Sequence, residues 1–165
     1  MCSSDLANIF VSLKRAPDSV VDRLKDIPGL ARVQVRLSSY ATLEVAGMRE
    51  PVRGLAMSLP RDNRTALNAL VLRQGRFPDP ARPAEILVHE AFAEAHKLAI
   101  GSALGANING HRLQLRVVGI VLSPEFIYVI GPGELVPDNL HFGVFWMSEA
   151  PLAAVLDSEA AFKPL

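Results

Sequence analysis

The sequence predicts an α+β fold, on three observations. The first 59 residues spell a β-α-β-β order. Composition then shifts at Pro60, where Arg61, Asp62, Asn63 and Arg64 make a polar break. Beyond it come short apolar runs at strand spacing, an Asn-Gly hairpin and two helical stretches, the pattern of a small β-rich unit.

Each element has its own signal. Residues 8–13 are apolar and β-branched or aromatic, which reads as a strand. Asp18 or Ser19 starts a helix whose Val20, Val21, Leu24 and Ile27 recur at helical spacing, and Pro28-Gly29 stops it. Alternation of Val33, Val35 and Leu37 with Arg32, Gln34 and Arg36 opens a long strand over 31–46. A turn at 47–50 returns it as a strand over 51–59. Leu67, Leu70, Val71 and Leu72 form a short apolar segment before a Pro-rich loop from Gly75 to Pro83. A strand at 85–89 runs into a helix at 90–98. Strands at 104–108 and from Leu113 to Val121 flank Asn109-Gly110, the residues a type I′ turn needs for its two positive φ angles. An apolar run at 126–130, a strand at 142–147 and a helix from Ser148 through Leu156 complete the order.

Composition excludes several function classes. Lys plus Arg and Asp plus Glu are 17 each, so the chain carries no net basic footprint for nucleic acid. One cysteine cannot form an internal disulfide or a cysteine-rich zinc site. No apolar stretch approaches the ~20 residues of a membrane-spanning helix. Residues 1–6 do not fit the patterning that begins at Ala7. They read as a non-native scar, in which case Cys2 carries no biology. The abrupt end after Ala161-Phe162 predicts a fragment of a longer chain.

Chemical motifs are sparse. The stretch 101–106 lacks a dinucleotide fingerprint, and there is no phosphate-binding loop with its lysine. His89, Glu90, Glu94 and His96 cannot share one helix face, so they read as a solvated face with a histidine at its start. His111 is expected exposed and His141 partly buried. Ser123, before Pro124, reads as a turn former. Glu125, Glu134 and Asp138 lie in one loop, where a carboxylate pair for hydrolysis is conceivable. Asn63-Arg64-Thr65 matches a glycosylation acceptor by pattern alone. These readings predict no catalytic, cofactor-binding or metal site. The run Phe126, Ile127, Tyr128, Val129 and Ile130, between two proline breaks, is either a core strand or an exposed edge that meets a partner or lipid-like cargo.

One set of residues carries a family likeness. Gly75-Arg76-Phe77-Pro78, a Pro-rich gap, Glu85-Ile86-Leu87-Val88, Ala91, Leu98-Ala99-Ile100-Gly101 and Val117-Val118-Gly119-Ile120 resemble the extracytoplasmic core domain of FtsX/MacB-type ABC transporter permeases. Ser102 stands where that pattern has an acidic residue. The segments Ser123-Pro124-Glu125-Phe126 and Pro137-Asp138 resemble one bacterial branch of these permeases. The likeness spans roughly residues 7–162.

The resemblance implies two lobes. A β-α-β-β (porter-like) lobe opens at 7–59. A small mixed β-rich (sabre-like) lobe is inserted at 60–147. Residues 148–165 start a truncated return to the first lobe, which leaves a sheet edge unsatisfied. It also implies a non-catalytic domain on the periplasmic or extracytoplasmic face of the bacterial inner membrane, in a membrane-embedded parent. ATP is hydrolysed in a separate cytoplasmic subunit. The implied partners are the parent's own transmembrane helices, that ATPase, a second permease protomer and a periplasmic adaptor or lipid-like cargo. The implied work is to transmit motion during export of lipid, lipoprotein, peptide or drug. The alternatives from other classes are a small soluble hydrolase or ligand-binding β-barrel using Glu125, Asp138 or His141, and a protein-interaction module using the 126–130 edge by strand addition.

Overall fold

The computed structural model describes residues 6–13, 18–60, 67–127, 129–133 and 135–157. Among the described residues three helices and seven strands follow one another as α1 (Asp18–Lys25), β1 (Ser38–Glu44), β2 (Val52–Ser58), β3 (Val71–Gly75), β4 (Glu85–His89), α2 (Glu90–Ala95), β5 (Ala103–Ile108), β6 (His111–Leu122), β7 (Phe142–Met147) and α3 (Glu149–Asp157).

Six strands close on themselves in the order β5-β6-β4-β7-β2-β1, with β1 pairing back to β5. β2 with β7 and β4 with β6 are parallel, and the remaining pairs are antiparallel. β6 is long enough to serve two neighbours on one side. Its first half pairs with β5 and its second half with the extra strand β3. An extra residue at Val118, opposite the Ile86/Leu87 step, bulges β6 between those halves. Such bulges add the twist that closure of a small barrel requires.

Period-two alternation sorts the side chains into two cores. One face of all six staves fills the barrel, with Leu43, Val52, Ile86, Leu104, Val117 and Phe145 among its members. Phe92 from α2 and Leu152 from α3 pack into the same core. Room for the Phe92 ring exists because β7 has Gly143 there: a Cβ would stand 2.5 Å from the ring. The opposite face of four adjacent staves, β6, β4, β7 and β2, carries Val121, Leu87, Val144, Trp146 and Met57. Leu70, Phe77, Phe126 and Val129 from the loops cover that outer wall. β4 and β7 are therefore buried on both faces, as their unbroken apolar sequences require.

Local chemistry sets the boundaries. Asn109 and Gly110 take φ of 51° and 80°, the turn that their sequence predicts. α2 begins where the His89 ring accepts a hydrogen bond from the Ala91 amide, and it ends where Lys97 turns to φ 53° and Leu98 N–H reaches back to Ala93 O. That stop falls before the predicted end at Leu98.

Several further segments differ from expectation. Residues 8–13 join no ladder, with Ile9, Phe10 and Val11 exposed. Of the strand predicted over 31–46, only 38–44 is paired. In the run at 126–130 the described residues 126, 127, 129 and 130 belong to no strand. β1 and β2, read as part of the first lobe, are barrel staves, and α3 buries Leu152 among them.

Candidate functional site

The loop from Ser123 to His141 holds the residues singled out as an interaction surface, and the structure divides them. Phe126 lies edge-on to Trp146, ring centres 6.0 Å apart, and Val129 is buried in the outer-wall core. Ile127 is 73% exposed and Ile130 46%. Tyr128 lies outside the described residues. Three apolar side chains that the sequence reading passed over, Leu135, Val136 and Leu140, are also exposed. Their signal was available: apolar residues that follow Gly131-Pro132-Gly133 without strand or helix spacing have no element to bury them.

The first foot of this loop is fixed by a polar joint. Glu125 Oε2 receives Arg36 Nη2 at 2.7 Å and Asn68 Nδ2 at 3.2 Å. Asn68, itself buried at φ 53°, accepts from the Ala7 amide at 3.0 Å, and Gln34 accepts from the Leu67 amide at 2.6 Å. Four segments far apart in sequence meet there. The shallow cleft between them, lined by Gln34, Arg36, Ser58, Asn68 and Trp146, has room for about one water.

The second foot is a capped turn. Asp138 Oδ1 accepts from the Leu140 and His141 amides at 3.1 and 3.2 Å, and its Oδ2 pairs with His141 Nδ1 at 2.7 Å. The His141 hydrogen bond, with the two amides, holds the Asp138 carboxyl below its ordinary range. His96 Nε2 lies 3.0 Å from Leu140 O and ties the turn to α2. His141 itself is exposed, against the expectation of partial burial.

These contacts decide against a carboxylate pair of Glu125 with Asp138. Glu125 is committed to Arg36 and Asn68, Asp138 to its own turn, and Glu134 lies outside the described residues. Among the described residues no three His, Cys, Asp or Glu side chains gather as a metal site requires. His89, expected on a solvated face, is buried against Trp146, ring centres 6.4 Å apart. Burial lowers its pKa, and its Nε2 has no hydrogen-bond partner among the described residues.

The motif residues that carry the family likeness prove to be structural. Gly75 takes φ 77°, and the next amide, of Arg76, donates to Val118 O at the bulge of β6. Arg76 turns back to grip Glu85 through both terminal nitrogens, at 2.7 and 2.5 Å, and the Asp79 amide adds a third hydrogen bond. The Pro-rich loop is thereby stapled to the start of β4. Arg76 first, then the Asp79 amide, pulls the Glu85 pKa from 4.5 to about 2. A depressed carboxyl stabilises the fold above its unfolded pKa and loses that effect as pH falls. Stability should therefore drop between about pH 4.5 and about pH 2, and Glu85→Gln should remove part of that dependence. Urea unfolding midpoints across this range test it. An unchanged pH slope in the variant contradicts the staple.

No family model and no curated protein matches the chain. Among solved structures it is similar to the extracellular domain of the noncanonic ABC-type transporter YknZ from Gram-positive bacteria, with a TM-score of 0.50 and 12% identity. The chain has the fold of that extracellular transporter domain. The superposition covers 83% of this chain and 64% of that one, so the chain spans less than two thirds of its solved counterpart. The likeness agrees with the fold that the motif order implies. Among the described residues no helix is long and apolar enough to cross a membrane.

Proposed function

We propose that the chain is a non-catalytic extracytoplasmic domain of an ABC transporter permease, sited on the outer face of a bacterial membrane. The observation that carries this reading is the fold shared with the YknZ extracellular domain across most of the chain. In this reading ATP is hydrolysed by a separate cytoplasmic subunit. The domain moves with the parent's transmembrane helices, beside a second protomer, and passes that motion to a periplasmic adaptor or to a lipid, lipoprotein, peptide or drug cargo. In this reading residues 7–59, as drawn from the sequence, open a porter-like lobe and residues 60–147 make the inserted β-rich lobe, with β1 and β2 lending two staves to its barrel. The exposed part of the 126–130 run, with its neighbours in the same loop, is the contact surface.

The interior of the molecule favours this over a ligand-binding or hydrolytic barrel. A barrel that holds a ligand needs a cavity lined by a few convergent polar groups. Here the interior is packed with aliphatic and aromatic side chains from all six staves. The interaction-module alternative uses the same loop, whose described residues 126, 127, 129 and 130 join no ladder.

Sequencing outward from both ends of the coding region tests the proposal. An apolar helix of about 20 residues before Ala7 and several after Leu165 are expected. Stop codons close to both ends, with no such helices, would overturn it.

A further inference from the structure

We infer that His89 is an acid-operated latch: a second proton on its ring drives the ring off the outer wall, and the first foot of the Ser123–His141 loop (Glu125, Phe126 and Val129) lifts while the second foot holds. The inference goes beyond the permease reading and does not depend on it.

The geometry builds the latch. His89 follows Leu87 at period two, so its side chain joins the outer wall, where it is 3% exposed. Its Nδ1 accepts from the Ala91 amide at 3.3 Å, the bond that starts α2. A backbone amide can only donate, so Nδ1 is bare and the ring's one proton is on Nε2. Nε2 is buried as well, with no hydrogen-bond partner among the described residues. A second proton must therefore go to Nδ1. There it faces the Ala91 N–H, donor against donor, and the cap bond is lost. The charged ring would also lie against Trp146, away from water. Leaving the wall relieves both costs. Trp146 packs against the His89 ring and the Phe126 ring, and Phe126 and Val129 cover the same wall. A wall without His89 no longer seats the first foot.

Nearby charges do not offset this. Burial is the largest influence on the ring and opposes the proton; the Glu90 charge and the Phe126 backbone favour it and are outweighed. Glu90 is itself paired with Arg73 of β3 at 3.1 Å. No titratable side chain stands on β7 or on residues 117–122 of β6. Arg116 lies opposite Glu85, at the other end of β4, and Arg112 pairs with Glu44. On α2, Glu94 is one turn beyond Glu90, and His96 closes the helix against Leu140 O. In the loop, Glu125 is tied to Arg36 and Asn68. Above about pH 6.5 the ring is neutral whether the foot is seated or lifted. Below it the lifted state takes up a proton that the seated state resists, so falling pH favours lifting. His141 and two amides hold Asp138 below its ordinary range, so the second foot keeps its charge through this window.

The test uses the intact chain between about pH 7.5 and about pH 5, either side of the histidine range. The Glu125 and Phe126 amides donate to Ser123, and their hydrogen exchange is read by NMR and corrected for its intrinsic pH dependence. Below about pH 6.5 it should speed by up to about tenfold per pH unit, the slope of one proton taken up on lifting. Acrylamide quenching of the single tryptophan should rise with the same midpoint as the His89 ring resonance. Amides of β1 and β5 should stay protected. His89→Asn keeps an acceptor for the Ala91 amide and does not titrate here, so its loop should ignore pH. Should that variant fold poorly, the wild-type protein still decides, because the His89 resonance and the quenching must share a midpoint. A first foot that ignores pH in the wild type, an acid response that survives His89→Asn, one that follows another histidine's resonance, or uniform loosening of the barrel each overturns the latch.

Discussion

Gly75→Ala is expected to destabilise the protein by about 3 kcal/mol or more, and Gly101→Ala by only about 1 kcal/mol. Both glycines belong to the motif set, and both sit in the left-handed region, at φ 77° and 91°. They share the backbone strain that a Cβ brings there. They differ in space. A Cβ on Gly75 would collide with the Val118 carbonyl oxygen and stand 2.7 Å from Ile100 Cδ1. The oxygen belongs to the β6 bulge and accepts from the Arg76 amide, so it cannot move without losing that bond. A Cβ on Gly101 meets nothing within 4 Å. Urea unfolding followed by the fluorescence of the single tryptophan measures both. Equal losses would mean that Gly75 serves turn geometry alone and that the close packing of the Pro-rich loop on β6 is wrong.

Trp146→Ala should cost about 3–5 kcal/mol, the range for removing a buried large aromatic. Trp146 is 1% exposed, at the centre of the outer wall, and touches both the Phe126 ring and the His89 ring. The wall it supports is what seats the first foot of the loop. Far-UV circular dichroism in urea gives the loss, since the fluorescence reporter is gone. Hydrogen exchange should show the 124–130 segment losing protection more than β1 and β5, which lie away from that wall. A loss below about 1 kcal/mol, or uniform loosening, would contradict the account of the loop as covering a second core.

The elements were largely legible because their signals are local. Strand 85–89 is found as read, since β-branched and aliphatic residues bounded by proline and a helix start leave little else. The Asn109-Gly110 hairpin follows from φ alone. What failed was whatever depends on partners. Residues 8–13 have strand composition, but a strand exists only through a ladder, and among the described residues none lies against them. The run at 126–130 has the same composition, yet it lies across the outer wall with Phe126 and Val129 turned in and Ile127 turned out. Closure of the barrel was not legible either. It rests on the pairing of β1 with β5 and of β2 with β7, contacts between segments far apart in the chain, which no local pattern encodes.

The site was legible in part. The loop was identified from its proline breaks and apolar run, but its exposed members are divided between the predicted run and Leu135, Val136 and Leu140. The polar joint of Arg36, Asn68 and Glu125 was hidden for the same reason as the barrel. Each partner reads alone as an ordinary surface residue, and only the fold brings them within hydrogen-bond reach.

The most direct test of the central claim, a domain working outside the membrane, is a labelling measurement on the protein of the full reading frame. A single cysteine is placed at Leu135, the most exposed of the loop's apolar residues, with Cys2 replaced by serine. A maleimide that cannot cross the inner membrane is added to cells whose outer envelope it can pass. Labelling in intact cells is the predicted result. Labelling only after the inner membrane is opened would place the loop in the cytoplasm and contradict the account.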